Sequence, residues 1–396
     1  LKPLDRQIVV ITGASSGIGL ATARMAGERG AKLALIARNE EALQDICQEL
    51  NEKGVAAVYV AADVGDRGAI ERAADLIVGK YGRIDTWVND AGIGLYGTLE
   101  ETTEDDHRRL FDTNYWGVVN GSLAALRHMK KQGGAIINIG SVASEMAQPL
   151  LSAYAASKHA VKGFTESLRM ELMRDKAPVS VTLIKPAAID TPFGPHARNY
   201  LDTAAKVPAP AYHPDIVAEA ILYAAENPTR SLTVGGAGQG MVWFFNWMPW
   251  LAEKMFASGA DSMSRDEQHA KPQADALYGP VRGTPRTLGQ QKVNRSSSLW
   301  TQAQMHRGLL TMIGIAGVSA VVLTRAVRRR RLSANGAAKT SQTWSRRNAK
   351  VAESNLARLG RRVEEAAESA APALTAQARA LAEKVVDRAS TGRFWR

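Results

Sequence analysis

The chain has 396 residues, a formal net charge of +11 and one cysteine, Cys47. A single cysteine excludes an intrachain disulfide framework and fits a reducing, cytoplasmic setting. The charge is uneven, with residues 1–250 at −3, 251–300 at +2 and 301–396 at +12, so the basic character belongs to the C-terminal end.

Residues 1–7 are polar and contain no secretory signal. Ile8–Thr12 is a short β-branched run of the kind that forms a buried parallel strand. It leads into Gly13-Ala14-Ser15-Ser16-Gly17-Ile18-Gly19, and a helical pattern follows from Leu20 to about Glu28. Strand, glycine loop and helix form the setting that a dinucleotide motif requires. The glycines permit a tight turn and close approach to a pyrophosphate, which then lies at a helix N-terminus. The next strand, Lys32–Ile36, ends at Ala37-Arg38. A site for NAD usually holds an acidic residue there. Here Arg38 is available for a 2′-phosphate, so NADP(H) is expected ahead of NAD(H). Glu40 and Glu41 suit the first turn of a helix over Glu40–Asn51.

A helix is expected over Phe111–Leu126 and a strand over Ala135–Ile139, with Ser141 just beyond it. Tyr154 and Lys158 are four residues apart, which on a helix puts them on one face. A free phenol has a pKa of about 10. A neighbouring ammonium lowers it, and the phenol can then serve a carbonyl/alcohol pair as acid and base. Ser141 could hydrogen-bond the same oxygen. Tyr-x-x-x-Lys alone is a weak pattern, because ordinary amphipathic helices also produce it.

Taken in order, these segments resemble the classical short-chain dehydrogenase/reductase family. Thr12-Gly13-x-x-x-Gly17-x-Gly19 is similar to its cofactor motif. Asp63-Val64 is similar to its adenine contact after the third strand, and Asn89-Asp90-Ala91-Gly92 to the Asn-Asn-Ala-Gly segment that ends the fourth. Lys185-Pro186 followed by Thr191 is similar to the segment that covers the nicotinamide. Asn114, Ser141, Tyr154 and Lys158 match the catalytic tetrad. The resemblance covers residues 5–240. It implies an α/β, Rossmann-type doubly wound parallel sheet, in a single catalytic domain placed at residues 1–256.

The same resemblance implies the roles. Tyr154 would be acid in reduction and base in oxidation. Lys158 would lower its pKa and hold the nicotinamide ribose. Ser141 would orient and polarise the carbonyl, and Asn114 would hold a relay water. Gly13, Ser15, Ser16, Gly17, Ile18, Gly19, Arg38, Asp63, Val64, Asn89, Ala91, Gly92, Tyr154, Lys158, Pro186 and Thr191 would contact the cofactor. No metal is implied, and a homodimer or homotetramer is expected. Asp90 and Ala187 depart from the pattern, replacing Asn and Gly. Ser144 and Ser152 compete with Ser141 on weaker spacing, and His159 reads as structural.

Residues 190–213 are rich in Pro, Gly and small side chains, where the family carries its substrate lid. A helix to about Glu226 and a last strand, Ser231–Val234, follow. Met241–Leu251 holds three Trp and two Phe. It reads either as core or subunit packing, or as an apolar mouth for a lipophilic substrate that leans into a membrane interface. Residues 257–307 read as a polar linker.

Residues 308–324 are seventeen uncharged positions between Arg307 and Arg325, near the lower limit for a span. They are expected to cross or embed in a membrane. Arg328–Arg331 beyond them opposes the positive-inside tendency if the enzyme domain is cytoplasmic, so the orientation stays open. Residues 325–396 read as a basic helical or disordered tail with some attraction to anionic lipid. Nucleic acid is not an expected partner, because no binding motif or aromatic platform accompanies the charge. The reading is a membrane-associated NADP-dependent oxidoreductase acting on a lipophilic carbonyl or alcohol. The alternative is a nucleotide-binding scaffold that works through its tail.

Overall fold

Ile8–Thr12 (β1) is buried at every position, which is what a continuous apolar run does when both faces of a parallel sheet are covered. In the computed structural model, which describes residues 1–266, 271, 274–281, 283–289 and 295–306, β1 is an interior strand of a seven-stranded sheet. The other strands are β2 (Lys32–Ala37), β3 (Ala57–Ala61), β4 (Thr86–Asn89), β5 (Gly134–Ile139), β6 (Val179–Pro186) and β7 (Ser231–Val234). They lie in the order β7-β6-β5-β4-β1-β2-β3, all parallel. This is the Rossmann-like fold expected.

Side chains alternate between the two faces. Val9, Ile11, Leu33 and Leu35 pack with helices α1 (Gly17–Glu28) and α2 (Glu40–Glu52). Ile8, Val10, Ala34 and Ile36 pack on the other face with α3 (Arg67–Tyr81) and later helices. Strand order reverses between β1 and β4, and ligands of such sheets sit in the crevice beyond that reversal. Thr12 secures it: its hydroxyl accepts from the amides of Asp90 at 3.1 Å and Ala91 at 3.2 Å.

The expected helix over 111–126 is three pieces. Helix α4 (Glu104–Phe111) runs into a π-helical turn, Asp112–Trp116, and then into α5 (Gly117–Met129). Apolar periodicity does not register one extra residue in a turn. Helix α6 (Ser152–Arg174) carries Tyr154 and Lys158, and α7 (Pro214–Glu226) packs beside α1.

The Trp-rich run forms α8 (Gly236–Trp247) and the start of α9 (Pro249–Ser264). Val242 and Phe256 are buried with Val142 and Met146. Trp243, Trp247 and Trp250 are 53%, 85% and 62% exposed.

The described part of residues 257–307 is not the free linker expected. Helix α9 extends to Ser264, and Arg265–Asp266 pairs with Ala204–Ala205. Ser298 caps α10 (Leu299–Met305). Thr301 accepts from the Gly235 amide, and Gln304 bonds Thr233 in both directions. Among the described residues no helix is long and apolar enough to cross a membrane. The uncharged run 308–324 and the tail 325–396 lie outside the described residues.

Candidate active site

Two adjoining cavities open along the C-terminal edge of the sheet. The larger, about 980 Å³, is lined by Gly13, Ser15, Ser16, Gly17, Ile18, Arg38, Asp63, Val64, Ala91, Gly92 and Thr191 among others. The smaller, about 150 Å³, is lined by Ser141, Tyr154, Lys158 and Pro186 with apolar Tyr96, Leu151 and Val207. Ile18, Asp90, Gly92, Thr191 and Phe193 belong to both. The structure thus brings most of the predicted residues to one continuous space. Asn89, Gly19 and Asn114 support it from behind.

Asn89 is a correction. Its side chain is 2% exposed and fully engaged away from the cavities. It accepts from Trp87 Nε1 at 2.7 Å and donates to Asn138 Oδ1 at 2.8 Å and Ser122 Oγ at 3.1 Å. It ties β4 to β5 and α5 and offers no side-chain contact to a cofactor.

The glycine loop has the shape that the sequence implies. Gly13 and Gly17 have φ of +72° and +56°, values that favour glycine. A Cβ on Gly13 would come within 2.8 Å of the Ala91 backbone, and one on Gly19 within 2.4 Å of the Gly13 carbonyl oxygen. These glycines let the loop pack closely on Ala91 and on itself, at the N-terminus of α1, where amide N–H groups and the helix dipole favour negative charge. The lining of the larger cavity includes this loop.

Lys158 is 4% exposed, and its ammonium donates to the Ile139 carbonyl at 2.9 Å. Its nitrogen lies 5.7 Å from the centre of the Tyr154 ring. Burial pushes the ammonium down to about 8, with the Asp90 carboxylate acting against that. Burial pushes the Tyr154 phenol up to about 12, while its bond with Ser141 acts to lower it. The expected lowering of the phenol's pKa by Lys158 is therefore not seen: desolvation wins, and the ammonium is turned to a carbonyl.

Asn114 lies in the π-helical turn. Its Oδ1 accepts from the Ile93 amide at 2.8 Å, and its Nδ2 donates to the Ile93 carbonyl at 3.0 Å and to Ser157 Oγ at 3.2 Å. Ser157 donates onward to the Tyr154 carbonyl at 2.7 Å. Asn114 thus positions the backbone that bears Tyr154. Ser144 is structural: it and Ser141 cap one short turn reciprocally. Ser152 is exposed at the start of α6, and His159 is bonded to the Ala155 carbonyl of its own helix.

Three contributors escaped the sequence reading. Phe193 packs on Tyr154 with ring centres 5.2 Å apart. Ser157 carries no motif signal. The third is the pair of stretches 274–281 and 283–289. Arg38 donates to the carbonyls of Ala276 and Leu277, and the Gly17 amide donates to the Arg286 carbonyl at 3.0 Å. Its composition is that of a linker, so no periodicity marks it.

A family model described as short chain dehydrogenase matches residues 7–200. An uncharacterized oxidoreductase of Bacillus subtilis, YxnA, is 42% identical over 327 residues, which is 81% of this chain and 91% of that protein. The chain belongs to the short chain dehydrogenase family. Dehydrogenase/reductase SDR family member 7B of Bos taurus is 39% identical over 191 residues, covering 46% of this short chain dehydrogenase and 58% of that protein. A short chain dehydrogenase/reductase from Burkholderia phymatum, solved in complex with NAD, has a TM-score of 0.58 and 26% identity over 63% of this chain and 96% of that one. An alcohol dehydrogenase from Thermococcus sibiricus, complexed with 5-hydroxy-NADP, has a TM-score of 0.51 and 29% identity over 58% of this chain and 95% of that one. The dehydrogenase is thus an oxidoreductase by family.

Asp90 yields a prediction. Its carboxyl accepts from the Gly19 amide and faces Lys158, and burial raises it to about 7. An unfolded aspartate ionises near pH 4. Between about pH 4 and 7 the folded state holds the proton more tightly, so stability from this group falls as pH rises through that window and is level above it. Asp90→Asn removes the effect. The variant's Tm relative to the wild type is expected to rise between pH 4.5 and pH 8, as followed by thermal melts. A difference independent of pH would contradict this.

Proposed function

We propose that the protein is an NADP(H)-dependent oxidoreductase that interconverts a carbonyl and a secondary alcohol on a lipophilic substrate. The observation that carries this reading is the junction of the two cavities. A phosphate-cradling groove runs into a small apolar pocket at the point where Ser141, Tyr154 and Lys158 face it.

Gly13, Ser15, Ser16, Gly17 and Ile18 would hold the pyrophosphate, with Asp63 and Val64 at the adenine and Thr191 and Pro186 at the nicotinamide. Bound there, the dinucleotide supplies or accepts a hydride. In the reducing direction Ser141 donates a hydrogen bond to the substrate carbonyl oxygen. Tyr154 then gives that oxygen its proton. With its pKa raised, Tyr154 is fully protonated at neutral pH and suited to this donation. In the oxidising direction it must take a proton from the alcohol, which its high pKa permits only with assistance. Lys158, still charged at neutral pH, would provide it, and bind ribose hydroxyls, by exchanging its bond to the Ile139 carbonyl. Asn114 acts through Ile93 and Ser157, fixing the helix segment that carries the phenol.

The choice of NADP(H) is supported by charge. Arg38 and Arg109 stand together with Asp63 as their anionic neighbour, and Arg109 pairs with Asp63 at 2.5 Å. Burial lowers the Arg38 pKa, Asp63 raises it and Arg109 lowers it. Two guanidiniums against one carboxylate leave positive charge that a 2′-phosphate would neutralise.

Membrane association remains part of the proposal. Trp243, Trp247 and Trp250 are exposed on a helix pair whose inner side packs on Val142, beside Ser141. Trp is favoured at membrane interfaces. A lipophilic substrate would then reach the apolar pocket from that side. A homodimer or homotetramer remains the proposed assembly.

Tyr154→Phe removes the phenolic proton and should lower kcat by about a hundredfold or more, while NADPH affinity by fluorescence titration stays within a few-fold of wild type. Turnover near the wild-type rate would refute the role of Tyr154. For Arg38→Ala, the ratio of NADPH to NADH affinity should fall by about tenfold, as one charge-assisted phosphate contact is lost. An unchanged ratio would refute the assignment of Arg38.

A further inference from the structure

The larger cavity has an inner wall made by the sheet edge and an outer wall made by Ala274, Ala276, Pro280, Val281, Thr284 and Arg286. The outer wall comes from sequence that carries no family motif. We propose that residues 274–281 and 283–289 form the outer wall of the nucleotide site, a strap that must open for the dinucleotide to bind or leave. This rests on reading the larger cavity as the nucleotide site.

Two kinds of contact hold the strap. The first lies beside α4 and does not involve the phosphate cradle. Asp106, 2% exposed, accepts from Tyr278 Oη at 2.8 Å, Tyr200 Oη at 2.7 Å and Arg198 Nε at 3.0 Å. Arg198 also donates to Asp275 Oδ2 at 2.9 Å. Burial alone would raise the Asp106 pKa, but these donors hold it below the usual carboxylate value, so the latch stays ionised at neutral pH. Leu277 is fully buried in an apolar cluster with Ile93, Leu95 and Leu110, and Tyr154 packs against that cluster. The strap is therefore seated in the same packing that surrounds the reacting phenol.

The second kind of contact lies over the groove and is made through the strap's own carbonyls. Arg38 bonds Ala276 and Leu277, Arg109 bonds Leu277 at 3.0 Å, Asn39 bonds Val281 at 3.1 Å and the Gly17 amide bonds Arg286 at 3.0 Å. Arg38 and the Gly17 amide are also the donors that a dinucleotide's phosphates would take. An anionic oxygen is a stronger acceptor than a neutral carbonyl, so these contacts can be exchanged. The α4 contacts have no such competitor. The strap thus stays seated at 275–278 and opens from its 283–286 end, with the ligand replacing the bond between the Gly17 amide and the Arg286 carbonyl and the seated end slowing its escape.

The test compares the wild type with Asp275→Asn/Tyr278→Phe, which weakens the polar latch, and with Leu277→Ala, which weakens the apolar one. NADPH dissociation is read by stopped-flow nucleotide fluorescence during displacement by excess NADP⁺. Limited proteolysis reads cleavage within 274–281, the seated end. Dissociation should quicken by about tenfold in each variant, as expected for the loss of one or two hydrogen bonds or a few methyl contacts, and the seated end should become cleavable. Unchanged dissociation in both variants overturns the strap. So does tighter NADPH binding, which would make the segment a competitor and not a wall. Wild-type protein that binds neither NADPH nor NADH overturns the nucleotide reading itself, and the strap with it.

Discussion

Burying the ammonium of Lys158 is the constraint around which the catalytic end is arranged. A cation taken out of water must find partners or lose its charge. At 4% exposure Lys158 keeps one carbonyl, Ile139, and one nearby carboxylate, Asp90. Both depend on the sheet: Ile139 ends β5, and Asp90 leaves β4 under the grip of Thr12 on its amide. Placing this lysine therefore fixes β1, β4, β5 and α6 relative to one another at the reacting corner.

The same corner links the two ends of the site. Asp90 touches the glycine loop through the Gly19 amide and influences both Lys158 and Tyr154 electrostatically. The phosphate cradle and the proton-handling groups are thus coupled through one carboxyl group. At the far end, the strap adds a second coupling, because Leu277 packs in the cluster that Tyr154 joins while its backbone accepts from Arg38 and Arg109.

Much of the core and of the catalytic corner was legible because local pattern and tertiary position coincide there. β1 is buried on both faces and reads as a continuous apolar run. Tyr154 and Lys158 show their helical spacing directly. Other features were hidden for physical reasons. The π-helical turn at Asp112–Trp116 is a short local departure inside a helical stretch, and a pattern read over a longer window does not mark it. Asn89 carries a motif, but a motif does not say which way its amide points, and the amide points into the sheet. The spacing of Tyr154 and Lys158 reports proximity to a cation and not the loss of water around both groups, which raises the phenol's pKa. The strap of residues 274–281 and 283–289 is held by backbone carbonyls, by the Asp275 and Tyr278 side chains and by buried Leu277, and none of these leaves a periodic signature.

The central claim is that this corner moves a hydride and a proton between a nicotinamide and a carbonyl. The most direct measurement incubates the full chain with 4-deuterated NADPH of each stereochemistry and a panel of lipophilic ketones, with products read by mass spectrometry. The account predicts deuterium on the carbinol carbon of the alcohol from one stereoisomer and not from the other. Tight NADPH binding with no deuterium transferred to any ketone would contradict it and would favour a nucleotide-binding scaffold.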